Sequence, residues 1–217
     1  QLTTIDGNIL PITSKCNTRC IFCSHRFNPS GVKVYRIPPR SIVDIRNALP
    51  FIDPFRPIVI GESATRIIEG EPLTHPHLTE ILKLLRASFP HTPVSLTTNG
   101  ILLEQALVEL LSRLGNITVN LSLNCIGAAA RCRLLGDLDA RRAVSSVKLL
   151  EASGIPFNGS IVAMPHITGW DELEQTVLYL AEHGAETIRI FEPGFSRLAP
   201  PELQFSQSLR AELISYI

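Results

Sequence analysis

Three of the chain's five cysteines lie within eight positions, in the segment CNTRCIFC (16–23), at the spacing C-x3-C-x2-C. A structural zinc site normally closes four ligands around the metal, often as two pairs, and no second C-x2-C pair follows here. Ordinary iron–sulfur clusters are held by four thiolates. Three thiolates on one loop therefore favour a [4Fe–4S] cluster in which one iron stays open for a substrate or a cofactor.

A fourth protein ligand is the alternative to an open iron. His25 lies two residues after Cys23, which makes it awkward for His25 to complete a tetrahedron. Cys125 and Cys132 would serve if the fold brought them near the loop; otherwise we expect them to be free thiols that pack as small hydrophobes. An odd number of cysteines with three clustered is not typical of a disulfide framework, so we expect a reduced, cytoplasmic setting.

The cysteines need a scaffold, and the chain shows one as alternating β and α patterns. Six short runs rich in β-branched and apolar residues predict strands that are covered on both faces. Amphipathic segments lie between them, and three of these run into a glycine of the kind that commonly ends a helix. The predicted strands are ILPIT (9–13), PIVI (57–60), VSLTT (94–98), ITVNLSL (117–123), GSIVAM (159–164) and TIRIF (187–191), and the predicted helices are 39–51, 78–89, 103–115, 141–154 and 170–184.

A series of β-α units predicts a parallel sheet with helical crossovers, which either curls into a barrel or winds into an open sheet. No linker rich in Pro, Gly or Ser interrupts the chain, so we expect one domain over residues 1–217. The start at Gln1 instead of Met leads us to expect a trimmed chain or a fragment.

The unusual residues follow the predicted strands. In parallel α/β folds, functional groups collect at the carboxyl ends of the strands, which meet at one rim of the sheet. We therefore expect the segments after the six strands to lie near one another. These segments are 16–23, 61–72, 99–100, 122–124, 165–166 and 192–194.

The cysteine segment resembles the signature of the radical S-adenosylmethionine (radical SAM) superfamily, C-x3-C-x-aromatic-C, with Phe22 in the aromatic position. The resemblance implies an α/β fold, a partial (βα)6 parallel barrel that is open on one side. It implies that Cys16, Cys20 and Cys23 bind a [4Fe–4S] cluster and that Phe22 packs beside it. It also implies that SAM binds the open iron and is cleaved to methionine and a 5′-deoxyadenosyl radical, which takes a hydrogen atom from a substrate.

The segment GEPLTHPHL (70–78) is similar to the superfamily's G-G-E-P-L-x-H-P segment, whose glutamate and backbone hold the SAM amino group. The resemblance therefore implies this role for Gly70 and Glu71. The first glycine of the pattern is replaced by Glu69, which is a departure. Glu62, which follows the second predicted strand closely, is a competing match; we prefer Glu71 because the E-P-L-x-H-P context surrounds it.

Other segments resemble the remaining walls of the SAM pocket. SLTTNG (95–100) and NLSLNC (120–125) are similar to the third and fourth strand segments, with Asn124 where aspartate is common. Asparagine can hydrogen-bond a ribose hydroxyl but brings no charge. IVAMPH (161–166) and IRIFEPG (188–194) resemble the adenine side. The further pocket residues that the resemblance implies are Thr98, Asn99, Ser122, Asn124, Arg133, Met164 and His166, with Arg133 as the nearest match for an arginine that meets the SAM carboxylate.

Composition excludes several classes of function. Twenty basic and twenty acidic residues cancel, which leaves no electrostatic footprint for nucleic acid or for an anionic membrane. No apolar run approaches the roughly 18 residues that span a bilayer, and the first residues do not resemble a signal peptide. We expect a reductant of the flavodoxin or ferredoxin type as partner, and a small molecule, a peptide or a protein as substrate.

The predicted function is radical SAM catalysis on a substrate that no residue identifies, and no side chain stands out as a later hydrogen donor or general base. The general resemblance is closest to the branch that includes molybdenum-cofactor synthesis and peptide-modifying enzymes. Those relatives usually carry extra cysteines in a C-terminal extension, whereas this chain ends at Ile217 in a predicted helix. Two alternatives stay open: a non-catalytic module that holds zinc or an electron-transfer cluster, and a degenerate radical SAM fold without turnover.

Overall fold

The structure is a computed structural model, and it describes residues 2–23, 26–62 and 67–216. The predicted alternation of strands and helices is present along the described chain. The strands are β1 (Ile58–Ile60), β2 (Val94–Thr98), β3 (Ile117–Leu121), β4 (Phe157–Val162) and β5 (Ile188–Phe191). The helices are α1 (Leu2–Gly7), α2 (Ile42–Ala48), α3 (Leu78–Ser88), α4 (Gln105–Leu114), α5 (Ala128–Leu135), α6 (Ala140–Ser153), α7 (Pro165–Thr168), α8 (Trp170–Glu182) and α9 (Gln207–Tyr216), with short 3-10 helices at Leu49–Phe51, Pro72–Thr74 and Pro201–Leu203.

The strands form one sheet in the order β1-β2-β3-β4-β5, and every neighbouring pair is parallel. Helices connect consecutive strands, as parallel pairing requires. Among the described strands β1 and β5 do not pair with each other, so the sheet does not close. This arrangement confirms the predicted α/β class and the open parallel barrel.

The first predicted strand (9–13) is reduced to a single parallel bridge between Ile9 and Val59, at the edge of β1. Pro11 in the middle of this segment has no amide hydrogen and therefore cannot continue a ladder. Beyond Pro11 the backbone pairs with residues 37–40 instead of β1. The sheet therefore has five regular strands with this extended segment alongside, and not six.

The two faces of the sheet differ in chemistry. One face is apolar and packs with the inward faces of the helices in a single core, which includes Leu96, Val119 and Ile161. The opposite face carries hydroxyl and amide side chains that bond from strand to strand. Asn120 Nδ2 donates to Ser95 Oγ at 2.7 Å, and Asn158 Nδ2 donates to Asn120 Oδ1 at 3.1 Å. The face opposite the main core is therefore polar, and the side chains that bond across its strands are uncharged.

Several helices match their predicted segments within a few residues, as α3 and α4 show. The sequence patterns did not indicate α5, whose buried positions include the arginine Arg131. A charged residue on the inward face breaks the apolar periodicity that marks an amphipathic helix. In the described part of the chain, no helix is long and apolar enough to cross a bilayer.

Candidate functional site

The cysteine loop lies at the carboxyl rim of the sheet. Cys20 is half-buried, whereas Cys16 and Cys23 are exposed. The Thr18 hydroxyl stands between two of the thiols, 3.2 Å from Cys16 Sγ and 3.5 Å from Cys20 Sγ. The backbone folds back on itself here, since the Cys23 amide donates to the Cys20 carbonyl at 3.2 Å.

The three thiols lie close enough to influence one another's ionisation. Burial raises the pKa of Cys20 to about 11, and the neighbouring Cys16 and Cys23 add to the rise. Burial also raises the pKa of Cys23, again with a contribution from Cys16. Over the residues that the structure describes, no three His, Cys, Asp or Glu side chains already form a coordination sphere. The loop therefore brings the three sulfurs near one another, and the sulfurs must come closer together to bind a metal.

A second, smaller core supports this loop from behind. Cys20, Ile21 and Phe22 pack against its buried residues, so Phe22 and Met164 meet in one cluster. The buried members come from the segments after β3 and β4. They are Cys125, Ala130, Leu134, Leu135 and Met164.

The three alternative fourth ligands are placed differently from one another. Cys125 is 1% exposed, and burial raises the pKa of its thiol to about 12. Cys132 is exposed on α5. His25 lies outside the described residues. Cys125 thus has the environment of a packed, protonated thiol.

Glu71 is buried, with 3% of its surface exposed, and both carboxylate oxygens are occupied. Oε1 accepts hydrogen bonds from the Thr98 hydroxyl at 2.7 Å and from the Leu73 amide at 3.1 Å, and Oε2 accepts one from the Asn99 amide at 2.7 Å. Burial raises the pKa of Glu71, and these donors oppose the rise. The carboxylate therefore holds the end of β2 in place.

Asn99 connects this buried carboxylate to the cysteine loop. Its backbone amide bonds to Glu71, and its side-chain Nδ2 donates to Asn17 Oδ1 at 2.7 Å. Asn17 directly follows Cys16 in the chain. The segment after β2 and the loop that carries the cysteines are thus joined by a direct side-chain contact.

The other glutamates near this segment differ in accessibility. Glu62 is exposed, and its Oε1 accepts a long hydrogen bond of 3.4 Å from the Thr97 hydroxyl. Both carboxylate oxygens of Glu69 are buried and make no normal hydrogen bond with a described residue. Burial raises the pKa of Glu69 to about 8, although the nearby Arg40 guanidinium and Ile12 amide oppose the rise. Of the two candidates for an amino group, Glu62 has the accessible carboxylate.

Gly70 needs the absence of a side chain for a steric reason. An added Cβ would overlap the carbonyl of Lys15, the residue before Cys16. The same carbonyl accepts the Glu71 amide at 2.8 Å. The Gly70 backbone therefore runs tightly alongside the start of the cysteine loop.

Ser122 and Asn124 follow β3 as expected. The Ser122 hydroxyl makes no hydrogen bond to any described residue, so it is available to a ligand. Asn124 has a left-handed backbone with φ of 65°, which asparagine tolerates. Its Nδ2 donates to the Ser122 carbonyl at 2.9 Å, and its Oδ1 accepts the Val162 amide at 2.9 Å. Asn124 thereby joins the ends of β3 and β4.

Two predicted pocket residues lie apart from this group. Arg133 is exposed on α5. His166 packs edge-on against Phe205, with ring centroids 5.9 Å apart, and so contacts the C-terminal segment. Sequence reasoning missed Arg131, two positions before Arg133, which is fully buried beside the loop's supporting core. No sequence pattern marks which of two neighbouring arginines points inward.

The chain belongs to the radical SAM superfamily. The superfamily's sequence model, described as "Radical SAM superfamily", matches residues 10–180, which is well over half of the chain. The family assignment thus covers the sheet from its first edge segment through β4 and the helix α8 up to Leu180.

Several curated relatives are GTP 3',8-cyclases. The probable GTP 3',8-cyclase of Methanocaldococcus jannaschii is 28% identical over 156 residues, which are 71% of this chain and 49% of that protein. The GTP 3',8-cyclase of Mycolicibacterium smegmatis is 27% identical over 184 residues, which are 83% of this chain and 48% of that protein. The chain thus spans about half the length of these relatives.

Two solved structures share the fold at low sequence identity. SuiB of Streptococcus suis bound to S-adenosylmethionine superposes with a TM-score of 0.67 at 16% identity, over 96% of this chain and 47% of SuiB. The protein anSMEcpe with bound AdoMet gives a TM-score of 0.68 at 17% identity, over 96% of this chain and 56% of anSMEcpe.

The residues present fit the two groups that this superfamily implies, a [4Fe–4S] cluster and SAM. Three neighbouring thiols on one loop supply the soft donors that iron in such clusters takes. SAM is a polar amino acid joined to a nucleoside, and the rim offers hydroxyl, amide and carboxylate groups from Ser122, Asn99 and Glu62. Both donor sets lie on the same rim, because Asn99 contacts the cysteine loop.

Proposed function

We propose that this chain is the core domain of a radical SAM enzyme that starts its reaction by taking a hydrogen atom from a substrate. The observation that carries the proposal is the contact between Asn99 and Asn17. It places the cysteine loop against the segment after β2, so three thiols and a set of polar ligands share one rim of an open parallel barrel. Residues 1–217 form this domain.

Cys16, Cys20 and Cys23 would hold the cluster, and Phe22 would shield it on the side of the smaller core. When bound, the reduced cluster and SAM would supply the radical chemistry that takes a hydrogen atom from the substrate. The protein's part is placement and exclusion of water. The half-burial of Cys20 would contribute to that exclusion, because it partly shields this residue from solvent.

SAM would be held by groups that keep free hydrogen-bonding capacity. The Ser122 hydroxyl is not bonded to any of the residues that the structure describes, the amides of Asn99 and Asn124 can each make a further hydrogen bond, and Gly70 brings its backbone close to the loop. Glu71 acts from behind by fixing Asn99, whereas the exposed Glu62 offers a carboxylate to the SAM amino group. Thr98 would support the site together with Glu71, to which its hydroxyl donates a hydrogen bond. Met164, which belongs to the same apolar cluster as Phe22, would line the adenine side. By the resemblance alone, Arg133 would meet the SAM carboxylate and His166 would line the adenine side.

The substrate would enter along the polar face of the sheet. This face carries uncharged hydrogen-bonding groups, including Ser95, Asn120 and Asn158, and the exposed Arg189 follows on β5. These groups suit a polar substrate better than a lipid-like one. GTP is the first small molecule to test, because the curated relatives are GTP 3',8-cyclases, and a peptide is the second, because SuiB has been solved with a precursor peptide. A flavodoxin or ferredoxin would supply the electron.

The test is anaerobic reconstitution of the chain with iron and sulfide, followed by electron paramagnetic resonance of the dithionite-reduced protein. We expect a [4Fe–4S] signal that changes shape when SAM is added, because SAM occupies the open iron. Cys16→Ala, Cys20→Ala and Cys23→Ala should each remove the signal, whereas Cys132→Ala, which changes an exposed thiol on α5, should retain it. A stable cluster whose signal ignores SAM would contradict the proposal and indicate a non-catalytic module.

A further inference from the structure

The helix α5 is joined to the cysteine loop by two backbone hydrogen bonds. The Arg19 amide donates to the Leu135 carbonyl and the Ile21 amide donates to the Leu134 carbonyl, both at 2.8 Å. The carbonyls in the last turn of a helix have no partner within the helix and are free to accept such bonds. The two bonds lie on either side of Cys20, so the position of its sulfur follows the position of α5.

The position of α5 is not secured by the helix itself. It has eight residues, Ala128–Leu135, and helices of this length are marginal without tertiary support. Its orientation must therefore come from contacts with the rest of the domain. Part of this support is the packing of Ala130, Leu134 and Leu135 in the smaller core. The polar contacts come from the buried Arg131 and the half-buried Glu172.

Arg131 ties α5 to the segment that leaves β3. Its side chain is fully buried. Nε donates to Asp137 Oδ2 at 2.6 Å, while Nη1 donates to the carbonyls of Leu123 at 2.6 Å and Cys125 at 2.9 Å. The charge is thus compensated by Asp137, and the guanidinium group links both ends of the connection between β3 and α6.

Glu172 ties the other end of α5 to α8. Its Oε1 accepts hydrogen bonds from the amides of Ile126 and Gly127, both at 2.8 Å. These amides immediately precede the helix. Gly127 permits the approach, because an added Cβ would overlap the other carboxylate oxygen, Oε2. Glu172 thus fixes the start of α5 from a separate helix.

We propose that Arg131, Asp137 and Glu172 are positioning residues. They hold α5, to which the cysteine loop is hydrogen-bonded, and so fix the position of the Cys20 sulfur. None of them contacts a cysteine thiol through a hydrogen bond; they act through the Leu134 and Leu135 carbonyls. The inference rests on the proposed function, because a loop that holds a cluster needs a fixed position.

The test measures amide hydrogen exchange by NMR in the metal-free chain. In Glu172→Ala and in Arg131→Lys, the Arg19 and Ile21 amides should exchange at least about tenfold faster, which corresponds to about 1.4 kcal/mol of lost protection. Amides of β2 and β3 should keep their protection. Glu172→Gln, which retains an acceptor oxygen, should restore most of the protection, and Glu174→Ala on the exposed face of α8 should change nothing.

Gly127→Ala gives an independent variant if Glu172→Ala does not fold, because it displaces the Glu172 carboxylate by sterics alone. In the reconstituted protein, Glu172→Ala should also shift the midpoint potential of the cluster, and Glu172→Gln should return it. Unchanged exchange at Arg19 and Ile21 in all of these variants would overturn the inference, and so would equal acceleration throughout the sheet. Because hydrogen exchange is measured without metal, a loss of the support that α5 gives to the cysteine loop can be distinguished from a loss of SAM binding.

Discussion

Asn99 Nδ2 donates a hydrogen bond to Asn17 Oδ1 over 2.7 Å, although the two residues are 82 positions apart in the chain. Asn99 follows β2, and its backbone amide is bound by Glu71, whereas Asn17 lies between Cys16 and Cys20 in the chain. This contact makes the rim after β2 and the cysteine loop one unit. A substitution in either of these two segments should therefore affect the other segment.

The first prediction concerns this contact. Asn17→Ala and Asn99→Ala should each make the reconstituted chain lose iron to a chelator faster, and a double-mutant cycle on the unfolding free energy should give a coupling of about 1 kcal/mol. The exposed pair Gln105 and Glu109, whose side chains meet at 3.1 Å on α4, is the control. Its coupling should stay within about 0.5 kcal/mol. Additive effects of Asn17 and Asn99 would show that the contact does not join the two segments.

Glu71 and Glu62 should separate stability from ligand binding. Glu71→Gln places an amide where three donors now meet a carboxylate, so the free energy of unfolding should fall by about 1–3 kcal/mol. Glu62→Gln changes an exposed side chain and should alter stability by no more than about 0.5 kcal/mol. Urea unfolding measures both values. Equal losses in the two variants would contradict the buried, fully bonded state of Glu71.

The same two variants test which of the two glutamates contacts SAM. If Glu62 meets the SAM amino group, Glu62→Gln should weaken SAM binding by about tenfold in a titration, the effect of one charged hydrogen bond. Unchanged SAM affinity in Glu62→Gln, together with weakened affinity in a folded Glu71→Gln protein, would return that role to Glu71.

Gly70 should tolerate no side chain. Alanine at this position would push its Cβ into the Lys15 carbonyl, next to Cys16, so the backbone must shift. We expect Gly70→Ala to lose at least about 2 kcal/mol of unfolding free energy, as overpacked sites do, and to take up less iron. Gly31→Ala is the matched control, since an added Cβ there meets nothing within 4 Å. The two variants would have to behave alike for the steric account to be wrong.

Glu69 should make stability depend on pH. Its folded pKa of about 8 lies above its ordinary value of 4.5, so between these values the unfolded chain releases a proton that the folded chain keeps. The free energy of unfolding therefore falls as pH rises through this window. Glu69→Gln removes this contribution.

The measurement is urea unfolding of the wild type and Glu69→Gln at about pH 5 and about pH 8.5, on either side of most of the window. The variant should gain on the wild type at the higher pH by an amount on the order of a few kcal/mol. A difference between the two proteins that stays constant with pH would place the Glu69 carboxylate in water and not in the protein interior.

The sequence patterns predicted the strands better than the supports of the site. VSLTT (94–98) is β2 without change, because its β-branched residues suit a covered strand. The segment 9–13 looked similar but leaves the sheet at Pro11, a consequence of one missing amide hydrogen. The spacing of the cysteines marked their loop as a candidate metal site. The contact of this loop with α5 could not be predicted, because the burial of Arg131 depends on carbonyls of residues 123 and 125 that only the folded chain presents.

The central claim is that the three cysteines serve radical SAM chemistry. The most direct measurement is 5′-deoxyadenosine, quantified by chromatography after the anaerobically reconstituted chain is reduced with dithionite in the presence of SAM. We predict that the wild type and Cys132→Ala form the nucleoside, and that the triple variant Cys16→Ala, Cys20→Ala, Cys23→Ala forms none. A wild-type chain that holds a cluster and leaves SAM intact would contradict the account.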